Sequence, residues 1–103
     1  MTYNIACIGE PLAEISRGAA DLAVAFGGDT LNTAIYCARS VQDRDIAVHY
    51  VTAIGEDTLS DAALELMTRE GIQTDHVSRD PNCQIGIYAI QNDENGERSF
   101  HYW

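Results

Sequence analysis

The chain has 103 residues, and sixteen Asp and Glu stand against six basic residues, for a formal net charge of −10. All six cations are arginine. The chain therefore lacks the clustered positive charge that nucleic-acid phosphates or anionic membranes demand, and it has no lysine for a Walker-type phosphate contact or a Schiff base.

Apolar residues make up 46% and fall in patterned runs, which points to one packed domain and not to disorder. Met1-Thr2-Tyr3-Asn4 lacks the basic region and long apolar stretch of a signal peptide, and no apolar run approaches the ~20 residues that span a bilayer. Ile5-Ala6-Cys7-Ile8, closed by Gly9, reads as a buried strand of a parallel sheet. Residues 12–16 alternate as a short half-exposed strand, and 22–26 form another. Gly27-Gly28-Asp29 then opens a helix whose Leu31, Ala34, Ile35 and Ala38 make one apolar face, with Asp29 expected as its N-cap.

Residues 41–45 are a polar connection, and 46–54 a β-branched and aromatic strand ended by Gly55. A second helix, capped by Asp57 or Thr58, is expected to run to about Glu70, with Gly71 just beyond its end. Leu59, Ala63, Leu66 and Met67 line its inner side. Strand and helix alternating in this way predict a parallel sheet with right-handed crossovers. Residues 84–90 and 98–103 read as two further strands around the turn-rich Asn92-Asp93-Glu94-Asn95-Gly96, which makes an antiparallel hairpin. The sequence stops at Trp103 inside an aromatic strand, and the expectation is an N-terminal piece of a longer protein.

Candidate chemistry concentrates in two places. At Gly27-Gly28-Asp29-Thr30-Leu31-Asn32, two glycines admit a close ligand, the helix start offers free N–H groups, and Asp29 and Asn32 add directed acceptors and donors. A tight turn with a simple cap explains the same residues, and the Gly-x-Gly-x-x-Gly dinucleotide fingerprint is absent. The second place is Tyr88, Arg98, Phe100, His101, Tyr102 and Trp103. Alternation puts Arg98, Phe100 and Tyr102 on one strand face and Ser99, His101 and Trp103 on the other. Cross-strand packing accounts for one aromatic face; two suggest a ligand on one side and a partner on the other.

Glu10 and Glu14, at and beyond the end of the first strand, stand where open α/β sheets bind ligands, although solvated carboxylates are the commoner case. His49 reads as a hydrogen-bonded core residue, His76 has no recognisable partner, and Asp57, Asp61 and Glu65 read as charges near a helix N-terminus. Cys7, Cys37 and Cys83, odd in number and widely spaced, read as reduced, buried thiols of a cytoplasmic chain. No metal-ligand spacing and no Ser/His/Asp arrangement is present.

Four strings resemble, in chain order, the N-terminal part of the ribokinase-like (PfkB-type) sugar kinases. They are Ile5-Ala6-Cys7-Ile8-Gly9-Glu10, Phe26-Gly27-Gly28-Asp29-Thr30-Leu31-Asn32-Thr33-Ala34, Val51-Thr52-Ala53-Ile54-Gly55-Glu56-Asp57 and Gly96-Glu97-Arg98-Ser99-Phe100-His101-Tyr102-Trp103. The resemblance implies an α/β fold: the N-terminal part of a doubly wound sheet with an attached antiparallel β lid. The body would take residues 1–11 and 27–80, and the lid strands residues 12–26 and 84–103. Within the family, the Gly-Gly-Asp-Thr-Leu-Asn string and the aromatic ending are similar to kinases that move the ATP γ-phosphate onto the 6-hydroxyl of 2-keto-3-deoxygluconate.

The same resemblance implies sugar contacts at Gly28, Asp29, Asn32, Tyr88, His101 and Tyr102, and a homodimer formed through the lid. It implies ATP and Mg2+ for the full-length enzyme, and neither a nucleic acid nor a membrane as partner. The family's general base lies in a Gly-Ala-Gly-Asp stretch that this sequence lacks, so no catalytic residue and no metal ligand is assigned here. Arg98 is the nearby arginine expected to offset an anion. Ser60 stands where the family often has Gly, and His101 where Tyr is usual. The alternatives are another kinase of the family, such as a fructokinase, or a non-catalytic α/β binding or dimerisation module.

Overall fold

The structure, a computed structural model, describes residues 1–18 and 20–103; Ala19, within the expected lid segment 12–26, lies outside the described residues. Along the chain come β1 (Tyr3–Ile8), β2 (Leu12–Arg17), β3 (Leu22–Gly27), α1 (Asp29–Ser40), β4 (Ile46–Ile54), α2 (Thr58–Arg69), β5 (Val77–Arg79), β6 (Gly86–Asn92) and β7 (Arg98–Tyr102). Two sheets share these strands, one in the order β1-β4-β5 and the other in the order β3-β2-β6-β7.

The first sheet is parallel throughout, with Tyr3↔Ile46 to Ile8↔Val51 on one side of β4 and Thr52↔Val77 to Ile54↔Arg79 on the other. Its core lies on one face. Val48 and Tyr50 of β4 meet Leu31, Ala34 and Ala38 of α1 and Ala63 and Met67 of α2. Full burial of a side chain such as Leu31 is worth about 1.5–3 kcal/mol, so these few contacts fix both helices. The opposite face is open: Ala6, Ile8 and Ala53 are exposed. The expectation of a buried strand at residues 5–8 therefore holds only for alternate positions. Ile5 and Cys7 are half-buried toward the core, because the two helices cover a single side of the sheet.

Local chemistry sets the helix ends. Asp57 is the N-cap of α2 and accepts from the Ser60 N–H at 2.9 Å, satisfying one of the free donors of the first turn. Asp29 does not play that part for α1. Gly28 occupies the N-cap at φ 102, no side chain caps the helix, and Asp29 is already helical. The positive φ that only glycine adopts freely turns the chain from β3 into α1 one residue earlier than expected. Gly71, at φ 80, closes α2 as anticipated, its N–H bonding the Thr68 carbonyl.

The second sheet consists of two hairpins set side by side. β2 with β3 and β6 with β7 are antiparallel, whereas β2 and β6 meet in parallel from Leu12↔Gly86 to Ser16↔Ile90. The seam is parallel because both hairpins leave the body with their first strand from the same base. Gly96, at φ 78, supplies the positive φ of the second turn. One face of this sheet carries the row Ala25, Glu14, Tyr88, Tyr102. The other carries Phe26, Ala13 and Ile87, which reach the core.

The thiols divide. Cys7 and Cys37 are half-buried and free. Cys83 is exposed, contrary to the expectation of burial, because it lies in the loop between β5 and β6. Its Sγ donates to Asp80 at 3.3 Å, and that hydrogen bond to a carboxylate holds the thiol above its ordinary pKa. His49 is hydrogen-bonded as expected, Nε2 to Asn4 Oδ1 at 2.9 Å, but on the open face and only half-buried.

Candidate functional site

The two sheets join where β3 runs into α1, and Gly27 and Gly28 make the join. A Cβ on Gly28 would stand 2.9 Å from the Glu10 carbonyl oxygen, and one on Gly27 would stand 2.7 Å from the Tyr88 hydroxyl. The first contact is backbone, so it fixes the chain path. The second lets a phenol rest directly on the strand.

Beyond Gly28 the first intrahelical bond runs from the Asn32 N–H to the Gly28 carbonyl at 3.0 Å. With no side chain capping α1, the N–H groups ahead of that bond carry the partial positive charge of a helix start. Asp29 and Asn32 are exposed on that first turn. Beneath them Thr30 Oγ1 and Tyr50 Oη are hydrogen-bonded at 2.6 Å. Gly9 leaves the space for Thr30, whose side chain would collide with a Cβ at that position. Sequence reasoning missed Thr30 as a support. Its only signal is a hydroxyl next to Asp29, and the partner Tyr50 comes from another strand.

The wall is aromatic. Tyr88 packs against Tyr102 and Phe100 with ring centroids 5.8 and 5.9 Å away. Burial raises the pKa of the Tyr88 phenol first, and the negative charge of Glu14 beside it, then the charges of Tyr102 and Asp29, raise it further. Its hydroxyl, resting on Gly27, lies one residue ahead of the Gly28 N-cap. Glu10 closes the base of the same edge, its Oε1 lying 2.7 Å from where a Cβ on Gly86 would be.

The structure brings together Gly28, Asp29 and Tyr88, with Tyr102 stacked behind and Asn32 on the same helical turn. His101 stands apart. It pairs with Ala89 on the opposite face of the sheet and turns its Nε2 to Gln91 Oε1 at 3.2 Å. The separation follows from strand alternation, since a neighbour of Tyr102 cannot share its face. Arg98 is not at the site either: it pairs with Asn92 beside the hairpin turn, about 13 Å along β7 from Tyr102. Among the described residues no group of three or more His, Cys, Asp or Glu is placed to hold a metal ion.

A buttress holds the body against the second sheet. Buried Ser60 donates to Asp57 Oδ2 at 2.6 Å and accepts from the Gly55 N–H at 3.0 Å, while the Ile85 N–H reaches Asp57 Oδ2 at 3.4 Å. Arg79 Nε bonds the Gly55 carbonyl at 2.6 Å, and its guanidinium pairs with Asp61. Ser60 therefore adds two hydrogen bonds that a Gly could not make. Asp61 reads as more than a helix-start charge, because it anchors the last residue of β5.

The sequence profile of the pfkB family carbohydrate kinases matches residues 2–103. The chain is 48% identical over 102 residues to the 2-dehydro-3-deoxygluconokinase of Dickeya dadantii, covering 99% of this chain and 33% of that protein. It is 45% identical over 103 residues to the enzyme of the same name from Escherichia coli K12, covering 100% and 33%. The chain thus spans about a third of the length of the curated relatives it matches. Among solved structures, a fructokinase from Xylella fastidiosa with bound ATP aligns at TM-score 0.86 and 25% identity, over 100% of this chain and 31% of that one. A 2-dehydro-3-deoxygluconokinase from Thermotoga maritima aligns at TM-score 0.82 and 23% identity, over 97% and 32%. With one profile matching nearly end to end and the fold shared along the same length, the chain belongs to the pfkB family of carbohydrate kinases.

Proposed function

We propose that this chain is the sugar-recognising part of a kinase that transfers the γ-phosphate of ATP to the 6-hydroxyl of 2-dehydro-3-deoxygluconate (2-keto-3-deoxygluconate). The observation that carries the substrate is the 45–48% identity, over essentially the whole chain, to proteins of that name. In this reading the sheet β3-β2-β6-β7 is the lid, and the body is built from residues 1–11 and 27–80. The sugar lies between α1 and the lid, against Gly28, Asp29 and Asn32 on one side and Tyr88 and Tyr102 on the other. His101 faces away from that space and belongs with the lid's outer surface, through which two lids would pair in a homodimer. The enzyme works in the cytoplasm.

ATP and Mg2+ belong to the whole enzyme, and the residues here do not fit a triphosphate. The chain has no lysine, and the edge that meets the sugar is acidic, with Glu10, Glu14 and Asp29 along it. Such an edge repels a triphosphate. Phosphoryl transfer is mainly a matter of positioning and charge neutralisation. What these residues contribute is the former: they hold the sugar and exclude water around it.

The test is ADP release by the whole enzyme over a panel of 2-dehydro-3-deoxygluconate, fructose and ribose, with ATP and Mg2+. Turnover with kcat/KM at least tenfold in favour of the sugar acid is expected. A preference for fructose replaces this reading with the fructokinase one. No turnover on any sugar leaves the non-catalytic module.

A further inference from the structure

Tyr50 of β4 lies wholly inside the core, in one cluster with Leu31 and Ala34 of α1, and carries the only hydroxyl of that cluster. A buried hydroxyl costs free energy unless it is bonded. This one is bonded, to Thr30 Oγ1 at 2.6 Å. A phenylalanine would fill the same space without that requirement, so the link to Thr30 is what the phenol adds. Thr30 is enclosed from a second side as well. Gly9 continues the pairing of β1 with β4, its N–H on the Val51 carbonyl at 3.2 Å, and a Cβ there would collide with the Thr30 side chain. Two neighbouring strands thus grip one side chain of the first turn of α1.

That turn has little else to orient it. Gly28 stands at its N-cap with φ 102, and no side chain caps it. Among the described residues, Thr30 is the one side chain of residues 29–32 with a hydrogen bond inside the chain. Asp29 and Asn32, three positions apart, share a helix face and are exposed. The turn therefore divides, with Thr30 tied to the sheet and the polar atoms of Asp29 and Asn32 free. We propose that Tyr50 is a positioning residue of the sugar site. By holding Thr30 against β4 it fixes the first turn of α1 in the orientation that presents Gly28, Asp29 and Asn32 to the sugar. Leu31, Ala34 and Ala38 pin the rest of the helix, so loss of the bond loosens that turn and leaves the fold. This rests on the sugar-kinase reading.

A double-mutant cycle in the whole enzyme tests it, with each variant first matched to the parent by circular dichroism. Tyr50→Phe keeps the ring and deletes one hydroxyl; Thr30→Val keeps the branched shape and deletes the other. Each is expected to raise KM for the sugar about fivefold, the scale of one hydrogen bond. The values of kcat and of KM for ATP stay within about twofold, because the turn holds the sugar alone. The double variant is no worse than either single one, since the two hydroxyls act as a pair. Thr30→Ser retains the hydroxyl and keeps KM at the parent's value.

A thermal midpoint that falls while KM for the sugar is unchanged makes Tyr50 a core residue only and overturns the proposal. So do penalties that multiply in the double variant, or a KM for ATP that rises in step with that for the sugar. If one single variant does not fold, the other is read beside Thr30→Ser. A KM that rises in the surviving variant and stays at the parent's value in Thr30→Ser supports the role, and equal KM values in the two remove it. The cycle is read on whichever sugar the enzyme phosphorylates. A change of substrate therefore defeats the reading above without obscuring the coupling between Tyr50 and Thr30.

Discussion

At the scale of single residues, the two glycines of the join do different work, and alanine separates them. Gly28 has φ 102, and a Cβ there would press on the Glu10 carbonyl, so Gly28→Ala combines backbone strain with a clash against atoms that cannot swing away. A loss of about 2–3 kcal/mol of unfolding free energy in urea is expected, with a lower yield of folded protein. Gly27→Ala meets only the tip of the Tyr88 side chain. It should leave stability within about 1 kcal/mol while displacing the phenol, so that KM for the sugar rises and kcat stays. Equal effects of the two substitutions on stability would contradict this division. The layout of the candidate site was half legible at this scale. Gly28, Asp29 and Tyr88 stand out by residue type, and the alternation that separates Tyr102 from His101 was already visible in the sequence. That Tyr88 lies on Gly27 and opposite Glu14 was not, because it depends on a parallel register between strands more than seventy positions apart.

At the scale of elements, α2 is set by one carboxylate. Burial pushes the Asp57 pKa up, but hydrogen bonds from the Ser60 hydroxyl and N–H and from the Ile85 N–H outweigh it, and the net shift is downward. A folded-state pKa below the unfolded one adds stability above the unfolded value, about 3.9, and that stability is lost as the pH falls through the lower folded value. Asp57→Ala is expected to cost about 1–2 kcal/mol at neutral pH. Asp57→Asn retains an acceptor for the Ser60 N–H and should lose less stability than the parent between neutral pH and pH 3. Thermal melts across that range check both, and an Asp57→Asn variant that is just as acid-sensitive as the parent counts against the cap. Asp57, α2, β4 and the hairpin could be read from capping residues and periodicity. β5 could not: its three residues carry no period, and only the end of β4 makes them a strand. The Gly28 cap was hidden for a related reason, since Asp29 is the better capping residue type and only the backbone angle rules it out.

At the scale of the whole molecule, the face of the sheet β3-β2-β6-β7 opposite Tyr88 remains to be accounted for where it extends beyond Phe26, Ala13 and Ile87, which pack on the core. Leu22, Val24 and Trp103 are 69%, 54% and 74% exposed. Val24 stands in one cross-sheet row with Ile15, Ala89 and His101, and Trp103 in the next row beside Ile87. Large apolar side chains clustered on a sheet face mark a contact surface, and the proposed lid-to-lid dimer would cover them. Each copy of this chain carries a net charge of −10, so two copies repel one another over the Debye length of about 10 Å at 0.1 M salt. An apolar contact between like-charged subunits tightens as salt is added, whereas one built on ion pairs loosens. Sedimentation velocity on the whole enzyme should therefore find a dimer whose dissociation constant falls from low to high salt. Val24→Arg, which puts two cations face to face at the contact, should shift the enzyme to monomer. His101→Ala should weaken the dimer more than it raises KM, because His101 lies in the Val24 row and not in the Tyr88 row. A His101→Ala enzyme that stays dimeric but loses sugar affinity would place this histidine at the sugar after all, and the lid would then have to close by presenting both of its faces.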